Sequence, residues 1–281
     1  WSSDVCSSDL YSTGNCFITL TYRDLIEASK EEREKGYYIP DDWSLNKQHF
    51  IKFMKRLRKH FKNAKIRYFM CGEYGNTCKH GLDLSEVSCE FCNFGRPHYH
   101  AIIFNHVFLD IEKYTQQNGE DRFTSPELAK LWPYGFNDVG EVNFESAAYV
   151  ARYLLKKKDG VKFDDWYVDY ETGVLRQKEY CTMSRGGTKG SRGLAYEWYE
   201  KYKDDVFPRD EVPVSGGFVS KSVPRYYEDL FANENPLSLE EIKEIRKKFR
   251  EEHADEYTPE RLMAKYKVKK AQIELLKRTV S

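Results

Sequence analysis

The sequence contains no run of about 18 apolar residues, the length that a membrane-spanning helix needs, so no membrane span and no membrane partner are expected. Its seven cysteines follow no regular disulfide spacing, and no signal peptide precedes them, which points to an intracellular, reducing setting. An excess of charge of one sign is also missing, since 45 Lys and Arg balance 45 Asp and Glu. There is no internal repeat. The first ten residues, WSSDVCSSDL, read as the in-frame translation of a common sequencing-adapter oligonucleotide and are set aside as an assembly scar, so the natural N-terminus is expected to be missing. Without Asp4, Asp9 and Cys6 the net charge becomes +2 and six cysteines remain.

What the chain does have is aromatic side chains and local charge. Aromatics make up 15% of the residues, with 21 Tyr and 17 Phe. Tyrosines in such numbers line nucleic-acid or peptide surfaces or fill a Tyr-rich core, and composition does not choose between the two. A hydrophobic content of 40% over 281 residues suits one main domain with an appendage. The neutral total hides asymmetry. Between Ser44 and Arg67 there are nine Lys or Arg and no Asp or Glu, and Arg152, Lys156, Lys157 and Lys158 form a second basic cluster. A local stripe of this kind can bind a polyanion without the chain being basic overall.

Hydrophobic periodicity gives the organisation. Cys16–Tyr22 (CFITLTY) is apolar and β-branched with alternating Thr, and reads as a strand. Ser44 or Asn46 can cap a helix reaching about Phe61, with Phe50, Phe53, Met54, Leu57 and Phe61 on one stripe and Lys52, Lys55, Arg56, Lys59 and Lys62 on the polar face. That basic face is a solvated helix surface, a DNA-facing one, or both. Ile66–Glu73 and Pro97–Phe104 read as strands pairing in an antiparallel hairpin around a long polar insertion. Ser125-Pro126-Glu127 starts a helix. Phe136–Val142 and Lys178–Met183 read as strands, Glu145–Lys157 and Leu194–Tyr202 as helices, and Phe218–Val223 as a short strand. Residues 238–254 and 258–279 read as two charged amphipathic helices. The fold expected is α+β, a central antiparallel β-sheet flanked by helices, with a helical C-terminal appendage. Residues 11–232 form the main domain, with an insertion at 76–95, and residues 233–281 the appendage.

Two clusters carry chemistry. In PHYHAIIF, strand alternation points His98 and His100 to one face and Tyr99 to the other. A lone His-x-His pair is a weak metal signal, equally read as a coincidence at a strand end. The preceding strand ends in Cys71-Gly72-Glu73-Tyr74-Gly75, and in a hairpin Glu73 could sit beside the histidines. Two imidazoles and a carboxylate suit several divalent ions and leave positions open for substrate oxygens. In SAAYVARYLLKKK, Tyr149 and Tyr153 are four apart and share a helix face. Such a pair is ordinarily packing, but two phenols presented together can act as alternating nucleophiles toward phosphorus when a metal or base activates them. Lys156 and Lys157, one turn on, could steady phosphate charge or simply complement the helix dipole.

FITLTY (Phe17–Tyr22), PHYHAIIF (Pro97–Phe104) and YVARYLLKK (Tyr149–Lys157), in this order, resemble the three motifs of the HUH endonucleases, and the paired tyrosines resemble the two-tyrosine branch. The rolling-circle replication initiators of microviruses, the gokushovirus type in particular, are similar in GEYG (Gly72–Gly75), RPHYHAIIF (Arg96–Phe104) and MSR before a Gly-rich turn (Met183–Gly187). The resemblance covers roughly residues 15–205. It implies a nickase that joins strands through a 5′-phosphotyrosine link, with Tyr149 and Tyr153 as nucleophiles and His98, His100 and Glu73 holding Mg2+ or Mn2+. It also implies single-stranded origin DNA as substrate, a host helicase and polymerase as partners, and the host bacterial cytoplasm as location. A transposase or relaxase with the same chemistry, a non-catalytic single-strand-binding protein and a zinc hydrolase are the competing readings. A hydrolase activates water and needs no tyrosine pair.

One segment departs from the resemblance. Twenty residues separate GEYG from RPHYH, and they include Cys78, His80, Cys89 and Cys92 in the pattern C-x-H-x8-C-x2-C. That spacing suits a small structural Zn2+ site that would order the insertion, or else free thiols in a loop. Elemental analysis of chelator-washed protein should find about one zinc per chain; no zinc, with those three thiols titrating freely, rules the site out.

Overall fold

The computed structural model describes residues 14–62, 64–75, 95–117, 120–143, 146–151, 167–168, 173, 175–185, 193–207, 209–214, 218–220 and 223–275. These fall into two compact units, Leu10–Ser191 and Arg192–Val280.

The first unit is built on one antiparallel sheet. Its strands are β1 (Cys16–Thr21), β2 (Arg67–Tyr74), β3 (Pro97–Phe104), β4 (Glu112–Gln117), β5 (Glu120–Thr124), β6 (Asn137–Gly140) and β7 (Tyr180–Met183), in spatial order β4-β5-β6-β1-β3-β2-β7. Helices α1 (Lys30–Glu34), α2 (Lys47–His60) and α3 (Pro126–Leu131) lie between strands in sequence, and residues 146–151 are also helical (α4). The α+β class with a central antiparallel sheet is the one expected.

Alternation along β1 decides what each face holds. Ile18, Leu20 and Tyr22 are fully buried in the core that includes Phe50, Phe53, Met54 and Leu57 of α2. Fully burying side chains of this size contributes about 1.5–3 kcal/mol each. Phe17, Thr19 and Thr21 point to the opposite face. Tyr99, in the middle of β3, is on the α2 side, where its hydroxyl donates to the Asn46 carbonyl at 2.9 Å and accepts from the Asn46 amide at 2.9 Å. Asn46 is also the N-cap of α2, its side chain accepting from the Gln48 amide at 2.9 Å. Ser44, the other candidate cap, instead accepts from the Gln177 amide at 2.8 Å. Two of the basic residues flanking this core are structural: Arg56 donates to the Leu131 carbonyl and Arg58 to that of Ile66.

Three elements were not legible in the sequence. The β4–β5 hairpin is polar, with Lys113 paired to Asp121 at 2.6 Å, as suits a sheet edge. Strand β8 (Val212–Val214), which pairs with β9 (Phe218–Ser220), is only three residues long. Helix α6 (Arg225–Glu234) starts at Pro224 with no side-chain cap.

The second unit packs α5 (Tyr196–Val206), that hairpin, α6 and α7 (Pro236–Glu252) around Tyr199, Phe207, Tyr227 and Phe231. The Phe207 and Phe231 rings stack at 3.9 Å. Arg246 of α7 ties this core to Asp210 and Glu228. Leu239 is the buried residue of α7, and α8 (Pro259–Leu275) follows a 3-10 turn at Ala254–Tyr257. Both charged helices expected near the C-terminus are present. No helix among the described residues is long and apolar enough to cross a membrane.

His49 of α2 stacks on Tyr134 at 4.0 Å and hydrogen-bonds the Tyr22 hydroxyl at 2.9 Å. Burial first, then the charges of Lys52 and Arg56, push its imidazole down to about 4. Below an ordinary imidazole pKa of about 6.5 the unfolded chain therefore binds a proton that the folded chain refuses, and stability falls as pH drops toward 4. Urea unfolding of His49→Gln should show a flatter loss of stability between about pH 6.5 and 4 than the parent chain. Parallel pH profiles for the two proteins contradict this.

Candidate metal and nucleophile site

The sheet register brings the expected ligands together. Glu73 of β2 stands directly opposite His98 of β3, and His98 opposite Thr21 of β1. One step along the strand direction, Cys71 faces His100, His100 faces Thr19, and Thr19 faces Asp138 of β6. Residues paired across antiparallel strands share a face, so all of these lie on the face turned away from α2.

Glu73 is 2% exposed. Its Oε1 lies 3.0 Å from His98 Nε2 and 2.8 Å from His100 Nε2. The rings stand nearly perpendicular, 87° apart, with centroids 5.0 Å from each other. Ligand atoms of Glu73, His98 and His100 all fall within 4.8 Å of one another. Each imidazole is held from behind. His98 Nδ1–H donates to the Arg96 carbonyl at 3.0 Å, which turns Nε2 toward Glu73. His100 Nδ1 meets Thr19 Oγ1 at 2.9 Å, and its ring stacks on Phe17. A histidine oriented through one nitrogen and open at the other is the arrangement metal ligands take. This buried Glu–His–His group can bind a divalent metal ion, and its mixed oxygen and nitrogen donors do not select one.

Burial of the Glu73 carboxyl opposes its ionisation, but hydrogen bonds from His100 and His98, together with their charge, overcome this and hold it well below the usual carboxylate range. Burial likewise opposes charging of His98, yet the Glu73 hydrogen bond and charge raise its pKa. His100 goes the other way: burial and the neighbouring His98 outweigh Glu73 and lower it. The carboxylate thus sustains one imidazolium rather than two.

Helix α4 brings a third group. Asn143 Oδ1 accepts from the Ser146 amide at 2.8 Å, and Ser146 Oγ accepts from the Asn143 amide at 2.9 Å, a reciprocal cap that fixes where the helix begins. Tyr149, in the first turns, points its hydroxyl into the cluster. It donates to Glu73 Oε1 at 2.8 Å and lies 3.4 Å from His100 Nε2, with its ring edge-on to that of His100. Tyr153, Lys156 and Lys157 lie outside the described residues, as do Cys78, His80, Cys89 and Cys92.

The flanking motif residues have packing roles. A Cβ on Gly72 would meet Leu45, Tyr180 and Tyr99 side chains at 3.1–3.3 Å, so glycine lets β2 lie close under that cluster. Arg96 donates to the Tyr22 carbonyl at 3.0 Å and to Asp24 at 2.8 Å, anchoring the start of β3.

The comparisons with known proteins fit this geometry. A family model for the phage replication-associated protein ORF2 matches residues 15–81 and 86–158, a span that includes every residue of the cluster.

The chain belongs to the replication-associated protein ORF2 family.

Similar proteins include the replication-associated protein ORF2 of Spiroplasma virus 4, 29% identical over 242 residues, and the replication-associated protein VP4 of Bdellovibrio phage phiMH2K, 29% identical over 230 residues. The first alignment covers 83% of this chain and 63% of the relative, the second 79% and 59%. The replication-associated protein ORF4 of Chlamydia phage 1 is 25% identical over 197 residues, 66% of this chain and 41% of that protein. The chain thus spans about three fifths of the length of the first two. No solved structure matches.

Sequence reasoning placed Glu73, His98, His100 and Tyr149 in the site but missed Thr19. The alternating threonines of FITLT signalled a polar face on β1; only the β1–β3 register shows which one meets His100. Calorimetric titration with Mn2+ should show binding weakened by more than about tenfold in His98→Ala and in His100→Ala, and by about tenfold in Thr19→Val, where only the ligand's support is lost. Equal affinity in the parent and all three variants removes the metal from this site.

Proposed function

We propose that this family member nicks and rejoins single-stranded DNA at an origin, starting and ending rolling-circle replication of a small phage genome. The observation carrying the reading is the Tyr149 hydroxyl, hydrogen-bonded at 2.8 Å to the carboxylate that also engages both histidines. The family membership and the phage relatives, each named as replication-associated, supply the biological setting.

In this reading Tyr149 Oη attacks the scissile phosphorus. The bond to the 3′ oxygen breaks, which leaves a 5′-phosphotyrosine and a free 3′-hydroxyl for a host polymerase. Tyr153 acts when the unit-length strand is cut off and closed into a circle, and Lys156 and Lys157 offset phosphate charge. Glu73, His98 and His100 would hold Mg2+ or Mn2+, which polarises phosphate oxygens and makes a phenol of pKa about 10 competent at neutral pH. Glu73 also holds the Tyr149 proton, so that the phenol oxygen keeps its lone pairs for phosphorus. His98 and His100, fixed through their Nδ1 atoms, keep that carboxylate in place. A host helicase would open the duplex ahead, and the work would take place in the host cytoplasm.

The test uses labelled single-stranded oligonucleotides tiling the genome that encodes the chain, incubated with the protein and Mn2+ and resolved on denaturing gels. One tile should give a covalent protein–DNA adduct, reduced by about 10³ or more in Tyr149→Phe and absent in Tyr149→Phe combined with Tyr153→Phe. An adduct that survives the double substitution, or none with any tile, overturns the mechanism.

A further inference from the structure

The row of residues that holds the metal cluster continues across the sheet to an exposed aromatic side chain. Glu73, His98 and Thr21 stand side by side on β2, β3 and β1. The next position in the row is Phe136, just before β6. The Thr21 amide donates to the Phe136 carbonyl at 3.0 Å, and the Phe136 amide donates to the Thr21 carbonyl at 3.1 Å. A pair exchanging both hydrogen bonds shares a face, and the residues that follow agree. Asn137 and Val139 are on the α2 side, where Val139 joins the core, whereas Asp138 pairs with Thr19 on the cluster side. At a strand spacing of about 4.8 Å, the Phe136 backbone is roughly 10 Å from that of His98.

Phe136 is 56% exposed, although it sits beside a central strand. Its neighbour explains how it is held there. A Cβ on Gly135 would fall 2.3 Å from the Thr21 carbonyl oxygen and 2.5 Å from the Arg23 nitrogen. Only glycine allows the chain this close to β1. On one side of it Tyr134 turns into the core against His49, and on the other Phe136 turns outward. Farther along the same face Tyr114, 55% exposed, donates to Asp138 at 3.2 Å, and Arg122 meets the same carboxylate at 3.3 Å. The face beyond the cluster thus presents two open aromatic rings and a guanidinium, a combination that suits unpaired bases and their phosphates.

We propose that Phe136 is a stacking platform for an unpaired base of the DNA strand next to the phosphate held at the Glu73–His98–His100 cluster. A phenyl ring stacks on any base and requires it to be unpaired, so the platform selects single strands over duplex without reading sequence. The inference rests on the proposal that the cluster handles single-stranded DNA. It adds the side toward which the strand leaves: across β1 toward β6, β5 and β4.

The test measures fluorescence anisotropy at one fixed salt concentration with two labelled probes, an oligo-dT of about 20 nucleotides and an abasic strand of the same length, with the same phosphates and no bases. Phe136→Ala should weaken oligo-dT binding by about tenfold and abasic-strand binding by less than about twofold, because phosphate contacts are unchanged. Phe136→Trp should restore oligo-dT binding, which a merely structural defect would not do. The side chain is exposed, so both variants should unfold at the parent's temperature. Equal affinity of Phe136→Ala and the parent for oligo-dT overturns the platform, and so does an equal loss on both probes. The outcome is separable from that of the nicking assay. Adduct formation with a neutral Phe136→Ala disproves the platform alone, and a base-dependent loss without any adduct leaves the platform standing and disproves the nuclease.

Discussion

Glu73 places a carboxylate where water barely reaches it, and a buried charge is tolerated only when its partners are fixed. Three groups meet that requirement at one oxygen atom: His98 and His100 through Nε2, and Tyr149 through its hydroxyl. Strand β3 supplies the imidazoles and helix α4 the phenol, and each group depends on a separate anchor. Arg96 and Thr19 fix the two rings from behind, and the Asn143–Ser146 cap fixes the helix that carries Tyr149. Loosening any one leaves a buried charge partly unpaired, so the candidate ligands and the Tyr149 hydroxyl are positioned by the same constraint.

The sheet makes this possible by dividing labour between its faces. Tyr99 lies between the two histidines in sequence, yet its ring packs against Phe50 and Trp132 on the α2 side. Because strand side chains alternate, one segment supplies the hydrophobic core and the polar site together. The basic stretch of α2 consequently lies on the side of the sheet away from the cluster. Arg56 and Arg58 there serve the fold through backbone carbonyls, and a strand held at Glu73 is not in line with them.

How much of this the sequence disclosed follows from the range of the interactions. PHYHAIIF could be read because two-residue alternation is local, and Pro97–Phe104 is the strand observed. The partnership of Glu73 with His98 was legible because it needs only a hairpin. Thr19 and Phe136 were not, since their placement depends on β1 meeting β3 on one side and the β6 segment on the other. Thr19 and His100 are 81 residues apart in the chain, and no local pattern spans that distance. The β4–β5 hairpin escaped notice because an edge strand can be polar on both faces, as Glu112–Gln117 is.

The central claim is that Glu73, His98 and His100 form a metal centre within reach of the Tyr149 hydroxyl. The most direct measurement is anomalous diffraction from crystals of the protein grown with Mn2+. The account predicts one strong anomalous peak at bonding distance, about 2.0–2.3 Å, from Glu73 and from the Nε2 atoms of His98 and His100, on the sheet face that carries Tyr149. Manganese bound elsewhere, with the histidines still closed on Glu73, would contradict it.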